Sequence, residues 1–170
     1  MSTAVRSDDT GPGANDVALN QAPPTKAPDA EAAAAAEAML TRFIDSWNAA
    51  DGLAYGEGYW DDAELVGPYG GVSNGRHTIA QVHVQGWSGP HKGSRVAGRI
   101  RRIQRLGTDF LIVDLDMELA IIQEYPSDGI ADDACLIRTH LKHILAKRDG
   151  EWRILSAQNT FIAQRQVAAT

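Results

Sequence analysis

Histidine is the residue type best suited to proton transfer near neutral pH, because its imidazole titrates there. His83 lies four residues from both Ile79 and Trp87 in the segment RHTIAQVHVQGW, so a helix would place the three side chains on one stripe. In that position His83 could carry a proton to or from a bound ketone or polyene. The alternative is a core histidine hydrogen bonded to a backbone carbonyl. We predict His83 as the candidate catalytic residue.

A second group of candidates lies in the segment EWRILSAQNTFI, which opens as a buried strand and then carries consecutive polar residues. A buried amide without a partner costs about 1 to 3 kcal/mol, so Gln158 and Asn159 each need a hydrogen-bond partner or a wet cavity beside them. The preceding Asp149–Gly150 pair is typical of a tight hairpin turn. Pairing across that turn places Leu145 opposite Ile154, His143 opposite Ser156, Leu141 opposite Gln158 and Thr139 opposite Thr160. Gln158 is therefore predicted to point inward and Asn159 outward.

The segment FLIVDLDMELAII fixes which side of the sheet is outside. Its acids Asp114, Asp116 and Glu118 alternate with apolar residues, so they share one face of a strand. Hairpin pairing predicts four contacts with the preceding strand: Arg101 with Asp114, Arg99 with Asp116, Ile100 with Leu115 and Gly98 with Met117. The following strand then contributes Arg138, His140 and Lys142 to the outer face and Ile137, Thr139, Leu141, His143 and Leu145 to the inner face.

The predicted ligand-binding set combines aromatic wall residues with the polar groups of the inner face. Its members are Trp47, Tyr59, Trp60, Tyr69, Trp87, Thr139, His143, Ser156 and Gln158. Tyr55, Tyr59 and Tyr69 are candidate phenolic donors. The alternative is that the aromatic residues are ordinary core and that Gln158 caps a neighbouring strand.

Several other chemistries are not favoured. A His143–Ser156 dyad lacks an oriented base and an oxyanion hole. The acids of the outer face point away from the interior. Asp45 and Asp51 remain possible bases, although Asp51 is expected to cap the second helix, so a simple carboxylate-base isomerase is not favoured. His140 and His143 face opposite sides of a strand, while His77, His83 and His91 lack metal-binding spacing. Because phosphate-binding glycine motifs are also missing, we predict no metal and no cofactor.

The order of secondary-structure elements predicts an α+β fold. A helix over 31–49, a short second helix over 53–60 and a third helix over 76–87 precede four strands, with a short strand pair over 64–75 between the last two helices. We predict a cone-shaped, curved antiparallel sheet with three N-terminal-side helices that enclose a pocket.

Composition limits the class of protein. Residues 1–29 are rich in Ala, Pro, Asp and Gly, so we predict a disordered tail over 1–29, one domain over 30–163 and a second tail over 164–170. A net charge of -6 argues against a nucleic-acid partner, and the single cysteine excludes an intramolecular disulfide. Without a signal peptide or an apolar span, a cytoplasmic protein with no membrane partner is expected.

The sequence resembles the nuclear transport factor two-like superfamily, which includes the ketosteroid isomerase and SnoaL fold. The resemblance runs from Ala33 to Ile162 and is carried by FIDSWNAAD, YWDDAELV, GRHTIAQVH, GSRV and GEWRILSAQNT. Within it, the helix histidine His83 and the terminal WRI and QNT patterns are most similar to the SgcJ/EcaC group, whose members accompany enediyne polyketide gene clusters.

The resemblance implies a hydrophobic small-molecule ligand and a homodimer formed through the outer face of the sheet. The leading hypothesis is a protein of enediyne polyketide antibiotic biosynthesis that assists cyclisation or rearrangement by proton transfer. The alternative is a non-catalytic carrier, protective or assembly protein of the same pathway.

Overall fold

The computed structural model describes residues 29–122 and 134–162 of the 170-residue chain. The two predicted tails lie outside the described residues, except for Asp29. Asp29 is the N-cap of the first helix: its carboxylate accepts a hydrogen bond of 2.8 Å from the backbone N–H of Ala32. This carboxylate satisfies one of the free N–H groups that every helix start exposes.

Three helices pack on one side of the structure. Helix α1 spans Ala30–Ala49, α2 spans Gly52–Glu57 and α3 spans Arg76–Ser88. As predicted, Asp51 caps α2, accepting a 3.0 Å hydrogen bond from the N–H of Ala54. The buried face of α1 consists of Ala32, Ala36, Met39, Leu40, Phe43, Ser46 and Trp47. Within the described part of the chain, no helix has the length and apolar character needed to cross a membrane.

In the ranges that the structure describes, six strands form one curved sheet. They are β1 (Tyr59–Val66), β2 (Val72–Asn74), β3 (Arg95–Leu106), β4 (Phe110–Ile122), β5 (Ala134–Arg148) and β6 (Glu151–Phe161). Their order is β2-β1-β6-β5-β4-β3, and only β1 and β6 run parallel. The predicted α+β cone is confirmed, although the sheet is mixed rather than purely antiparallel.

The register of β3, β4 and β5 largely follows the prediction. Gly98 pairs with Met117, Arg99 with Asp116 and Ile100 with Leu115. The predicted register of Arg101 opposite Asp114 is wrong, because an irregularity between Ile100 and Arg102 places Arg102 opposite Asp114. The predicted charge contact is nevertheless present, since the Arg101 guanidinium lies 3.7 Å from the Asp114 carboxylate. Across β4 and β5, the acids of the outer face pair as predicted: Asp114 with Lys142, Asp116 with His140 and Glu118 with Arg138.

The predicted register of β5 and β6 is wrong beyond Leu145. Leu145 does face Ile154, but Ile144 faces Ser156, so β6 contains one extra residue at this point. Since an extra residue transfers every later side chain to the other face, Gln158 lies opposite Lys142 on the outer face. Ser156 and Thr160 lie on the outer face with it, whereas Ala157, Asn159 and Phe161 lie on the inner face.

Candidate functional site

A cavity of about 390 Å³ lies between α1, the junction of α2 and β1, and the start of β6. It is lined by Ala35, Ala38, Met39, Arg42, Phe43, Tyr55, Glu57, Gly58, Tyr59, Glu151, Trp152, Arg153 and Ile154. Phe43, Tyr55 and Tyr59 are buried aromatic residues, whereas the four charged residues of the lining include exposed Arg42 and Glu57. The site therefore combines an aromatic inner wall with a charged rim.

The sequence of α1 explains why space remains here. Ala35, Ala38, Met39 and Arg42 are three or four residues apart in pairs, so they share one side of the helix. Two of them are alanines, whose short side chains leave a gap between the helix and β6. Ile154 on the opposite wall is the register partner of Tyr59, which brings β1 into the same lining.

A chain of hydrogen bonds leads from the cavity wall to His83, and we call it the Tyr59–Tyr55–His83 chain. The Tyr59 hydroxyl donates to the Tyr55 hydroxyl over a long 3.4 Å, and the Tyr55 hydroxyl lies 3.0 Å from His83 Nε2. His83 Nδ1 lies 2.7 Å from the carbonyl oxygen of Ile79. Because a carbonyl only accepts hydrogen bonds, Nδ1 carries the proton and Nε2 accepts from Tyr55.

Burial keeps every member of this chain electrically neutral. Desolvation lowers the pKa of His83 to about 4, against a weaker opposing effect of its bond to Ile79. Desolvation also raises the pKa of Tyr59 to about 12 and raises the pKa of Tyr55 well above its usual value. At pH 7 the chain therefore holds two phenols and an unprotonated imidazole that is able to accept a proton.

Close packing of two helices brings His83 to Tyr55, although 28 residues separate them. A Cβ atom placed on Gly56 of α2 would lie 3.1 Å from the Cβ of Ala80 in α3. These two small residues therefore allow the two helices to pack closely. The rings of Tyr55 and His83 are 4.2 Å apart between centroids. His83 therefore makes two hydrogen bonds at once. One is the bond to a backbone carbonyl that was predicted for a structural core histidine, and the other is a bond to a residue of the cavity lining.

Among the predicted ligand-binding residues, Tyr59 alone belongs to the cavity lining described above. Trp47 and Trp87 pack edge to face at 5.6 Å in the buried cluster around His83. The Trp47 Nε1 donates to Ser94 Oγ at 3.1 Å, and the Trp87 Nε1 has no partner among the described residues. These two tryptophan rings pack against the imidazole of His83.

Trp60, Tyr69 and Thr139 also lie outside the cavity lining. Trp60 donates from Nε1 to the carbonyl oxygen of Ala146 at 2.9 Å, and its ring packs against Arg148 and Arg153. Tyr69 is 89% exposed and packs edge to face against Phe161. Thr139 is buried on the inner face of β5.

The predicted inward positions of Ser156 and Gln158 are wrong, because the extra residue in β6 turns both side chains outward. Their predicted pairing with His143 and Leu141 is consequently absent: His143 faces Ala157, and Leu141 faces Asn159. Asn159 is the inward amide, and its Oδ1 is buried without a partner among the described residues. The amide that faces the interior is therefore Asn159, and not Gln158 as predicted.

His143 is fully buried on the inner face of β5. Its Nδ1 lies 3.2 Å from the sulfur of Met39, and its ring centroid lies 5.8 Å from that of Phe43. The Nε2 atom has no hydrogen-bond partner among the described residues. Burial lowers the pKa of His143 to about 4, so this imidazole is also neutral at pH 7.

The charged rim was not predicted from the sequence. Arg42 and Glu57 form no ion pair within 4 Å inside residues 29–122 and 134–162, whereas Arg153 binds Glu151 at 2.5 Å. Arg42 was identifiable in principle, since it lies on the side of α1 that carries Ala35 and Ala38. Glu57 and Glu151 also place carboxylates at the cavity, whereas the predicted possibilities, Asp45 and Asp51, do not belong to its lining. In the described ranges, no three His, Cys, Asp or Glu side chains are grouped as metal ligands would be.

A curved sheet with α1 laid across it and a cavity beside the helix defines the nuclear transport factor two-like fold, which also includes the ketosteroid isomerases. No protein-family model matches the sequence, and no curated protein matches it either. Solved structures do match, at the level of the fold.

Three of these structures illustrate the match. A domain of unknown function with a cystatin-like fold from Nostoc punctiforme has a TM-score of 0.70 and 18% identity, covering 82% of both chains. A ketosteroid isomerase-like protein from Erwinia carotovora atroseptica has a TM-score of 0.66 and 20% identity, covering 81% of this chain and 100% of that one. A hexachlorocyclohexane dehydrochlorinase (LinA) Type2 has a TM-score of 0.66 and 16% identity, covering 78% and 86%. The resemblance to the superfamily is thereby confirmed for the fold.

Proposed function

We propose that this protein binds a hydrophobic small molecule in the cavity beside α1 and transfers a proton within that molecule. The observation that carries the proposal is the Tyr59–Tyr55–His83 chain, which connects two residues of the cavity lining to a neutral imidazole. A volume of about 390 Å³ lies in the usual range for small-molecule sites. The aromatic inner wall suits an apolar ligand body, and the charged rim suits its polar end.

The proposed transfer moves two protons together. The ligand gives a proton to the Tyr55 oxygen, while Tyr55 gives its own proton to His83 Nε2. Tyr55 remains a neutral phenol that donates to the new ligand anion, and His83 becomes an imidazolium whose Nδ1–H still donates to Ile79. The reverse movement returns a proton to a different atom of the ligand.

Burial of His83 favours reactions in which the proton is returned. With a pKa of about 4, the imidazolium is unstable in this site and gives its proton back within the same turnover. Isomerisation, tautomerisation and cyclisation meet this requirement, because the ligand gains and loses the same number of protons. A hexachlorocyclohexane dehydrochlorinase with the same fold supports an enzymatic role for this architecture.

The proposed ligand is polyketide-derived, with an enediyne precursor as the specific candidate. The support is the set of sequence motifs similar to the SgcJ/EcaC group, above all His83 and the WRI and QNT segments of β6. A homodimer through the outer face of the sheet belongs to the same proposal. That face presents a ladder of ion pairs, including Arg99–Asp116 at 2.9 Å and Arg138–Glu118 at 2.9 Å.

A non-catalytic carrier or protective protein is the second candidate, and one observation favours it. The Tyr55 hydroxyl already contacts Tyr59 and His83, and Tyr55 is only 3% exposed. A ligand must therefore displace Tyr59 from Tyr55 before any proton moves. The 3.4 Å Tyr59–Tyr55 distance indicates a weak bond in which a donor group of the ligand, such as a hydroxyl, could replace Tyr59.

Deuterium exchange separates the two candidates without knowledge of the natural substrate. The probe is 2-tetralone, an apolar ketone with acidic C–H bonds, incubated with the protein in D₂O and followed by NMR. We expect wild type to accelerate exchange and His83→Gln to lower the rate by about 100-fold, with affinity unchanged within a few-fold. Tyr55→Phe should have the same effect, while His77→Gln, at an exposed position of α3, serves as the matched control. Binding of the ketone without any exchange would support the carrier.

A further inference from the structure

We propose that Glu31 is a positioning residue of the ligand site, because its carboxylate holds the Trp152 indole in place as one wall of the cavity beside α1. Trp152 belongs to the cavity lining and Glu31 does not, so Glu31 acts on a ligand only through the indole. The inference rests on the proposed binding of a small molecule in this cavity, and it adds what keeps the binding wall rigid.

The first argument is the set of contacts that converge on the Glu31 carboxylate. Its Oε1 accepts hydrogen bonds from Trp152 Nε1 at 3.2 Å and from Lys147 Nζ at 2.6 Å. Its Oε2 accepts a hydrogen bond from the Arg105 guanidinium at 3.0 Å. The Lys147 ammonium, followed by the Trp152 N–H, holds the pKa of Glu31 below its usual value. The carboxylate is therefore ionised at neutral pH and uses both of its oxygens.

The second argument is that the indole is restrained from two directions. The Lys147 ammonium lies 5.8 Å and the Arg105 guanidinium 5.6 Å from the centroid of the Trp152 ring, which are cation–π distances. These are the same two cations that bind the Glu31 carboxylate. The Nε1 bond thus fixes the polar edge of the indole, while the cations restrain its face. One carboxylate organises all of these contacts.

The third argument is the place of this contact in the fold. Glu31 lies four residues before Ala35, so it occupies the same side of α1 one turn earlier. Ala35 lines the cavity from the helix, and Trp152 and Ile154, two residues apart on one face of β6, line it from the sheet. The bond from Trp152 to Glu31 therefore joins the two walls at the end of the cavity nearest the start of α1.

A second tryptophan supplies a matched comparison within the same protein. Trp60 also packs against two cationic side chains, Arg148 at 5.1 Å and Arg153 at 5.0 Å, and the carboxylate of Asp62 binds Arg148 at 2.7 Å. Neither Trp60 nor Asp62 belongs to the cavity lining. The two clusters are alike in their chemistry and differ in their place, so substitution of Asp62 reports the loss of a surface ion pair alone.

The test measures the affinity for 2-tetralone by ligand-observed NMR titration. Glu31→Ala should bind roughly 5-fold more weakly than wild type, because an indole that is free to move must be immobilised when the ligand binds. Trp152→Phe keeps an aromatic ring but lacks the N–H, so it should weaken binding by a similar factor. The double variant should bind no more weakly than either single one, since both substitutions remove the same restraint.

Two controls separate positioning from general stability. Asp62→Ala and Trp60→Phe make the corresponding changes in the other cluster and should bind 2-tetralone as wild type does. Glu31→Gln keeps an acceptor for the indole N–H, so it should retain more affinity than Glu31→Ala.

Each outcome decides something. If 2-tetralone does not bind to wild type, both this inference and the proposed function are wrong. If it binds and Glu31→Ala binds it equally well, or if the two losses multiply in the double variant, the positioning role alone is overturned. Equal losses in Glu31→Ala and Asp62→Ala would show a general loosening and overturn the role too. Should Glu31→Ala fail to fold, Trp152→Phe decides, because it deletes the N–H that Glu31 binds: weaker binding supports the role, and wild-type affinity overturns it.

Discussion

The fully buried His143 should make the protein lose stability as the pH falls from about 6.5 toward 4. In the folded state burial lowers its pKa from 6.5 to about 4, whereas in the unfolded chain the imidazole is hydrated and titrates at its ordinary value. Between these two pH values the unfolded state binds a proton that the folded state does not. Protonation therefore favours unfolding in that range, and the stabilisation is complete above pH 6.5.

The structure gives the size of this effect. A pKa difference from 6.5 to about 4 corresponds to about 3 kcal/mol in total, at 1.36 kcal/mol for each pKa unit. By linkage, about 2 kcal/mol of it is lost at pH 5 relative to pH 7. His83 should add to the loss in the same direction, since burial lowers its pKa as well.

Urea denaturation at pH 7, 6 and 5 measures the effect directly. His143→Leu removes the titrating group, so the difference in unfolding free energy between variant and wild type should grow in favour of the variant by about 2 kcal/mol from pH 7 to pH 5. Carboxylates titrate in both proteins, and the comparison cancels them. His77→Gln, at an exposed position, is the matched control and should follow wild type. Parallel curves for wild type and His143→Leu would refute the reasoning, because they would show that the folded state protonates His143 without penalty.

Two further predictions concern the helix start and the outer face. Deleting residues 1–28 should leave the melting temperature unchanged, whereas Asp29→Ala should lower the urea midpoint of unfolding, because Asp29 caps α1 and also binds Arg105 at 2.7 Å; equal stability of the two proteins would contradict the capping role. Sedimentation at micromolar concentration should show a homodimer, and Glu118→Arg should shift it toward monomer by placing like charge beside Arg138; a wild-type monomer would count against the interface.

The sequence predicted well which side chains of a single strand face inward and which face outward. In β4, acids alternate with apolar residues, so one segment separates the two faces, and its pairing with β5 is uninterrupted from Phe110 to Ile122. The prediction failed where a strand contains an extra residue, as β6 does opposite Ile144 and Leu145. Such a residue has no distinctive side chain here, and a change of one position reverses every face beyond it. The predicted orientations of Gln158 and Asn159, inward and outward respectively, were reversed for this reason alone.

The candidate site was harder to predict because it depends on contacts between distant elements. His83 was identifiable from its stripe on α3, but its bond to Tyr55 depends on how closely Gly56 and Ala80 allow α2 and α3 to approach. The same limit applies to His143, which the strand pattern placed on the inner face correctly. That pattern could not show that its neighbour across the core is the sulfur of Met39, which accepts one hydrogen and leaves the second nitrogen unpaired. An inward polar residue is predictable from periodicity, whereas the absence of a partner for one of its nitrogens becomes visible only when the helix is packed on the sheet.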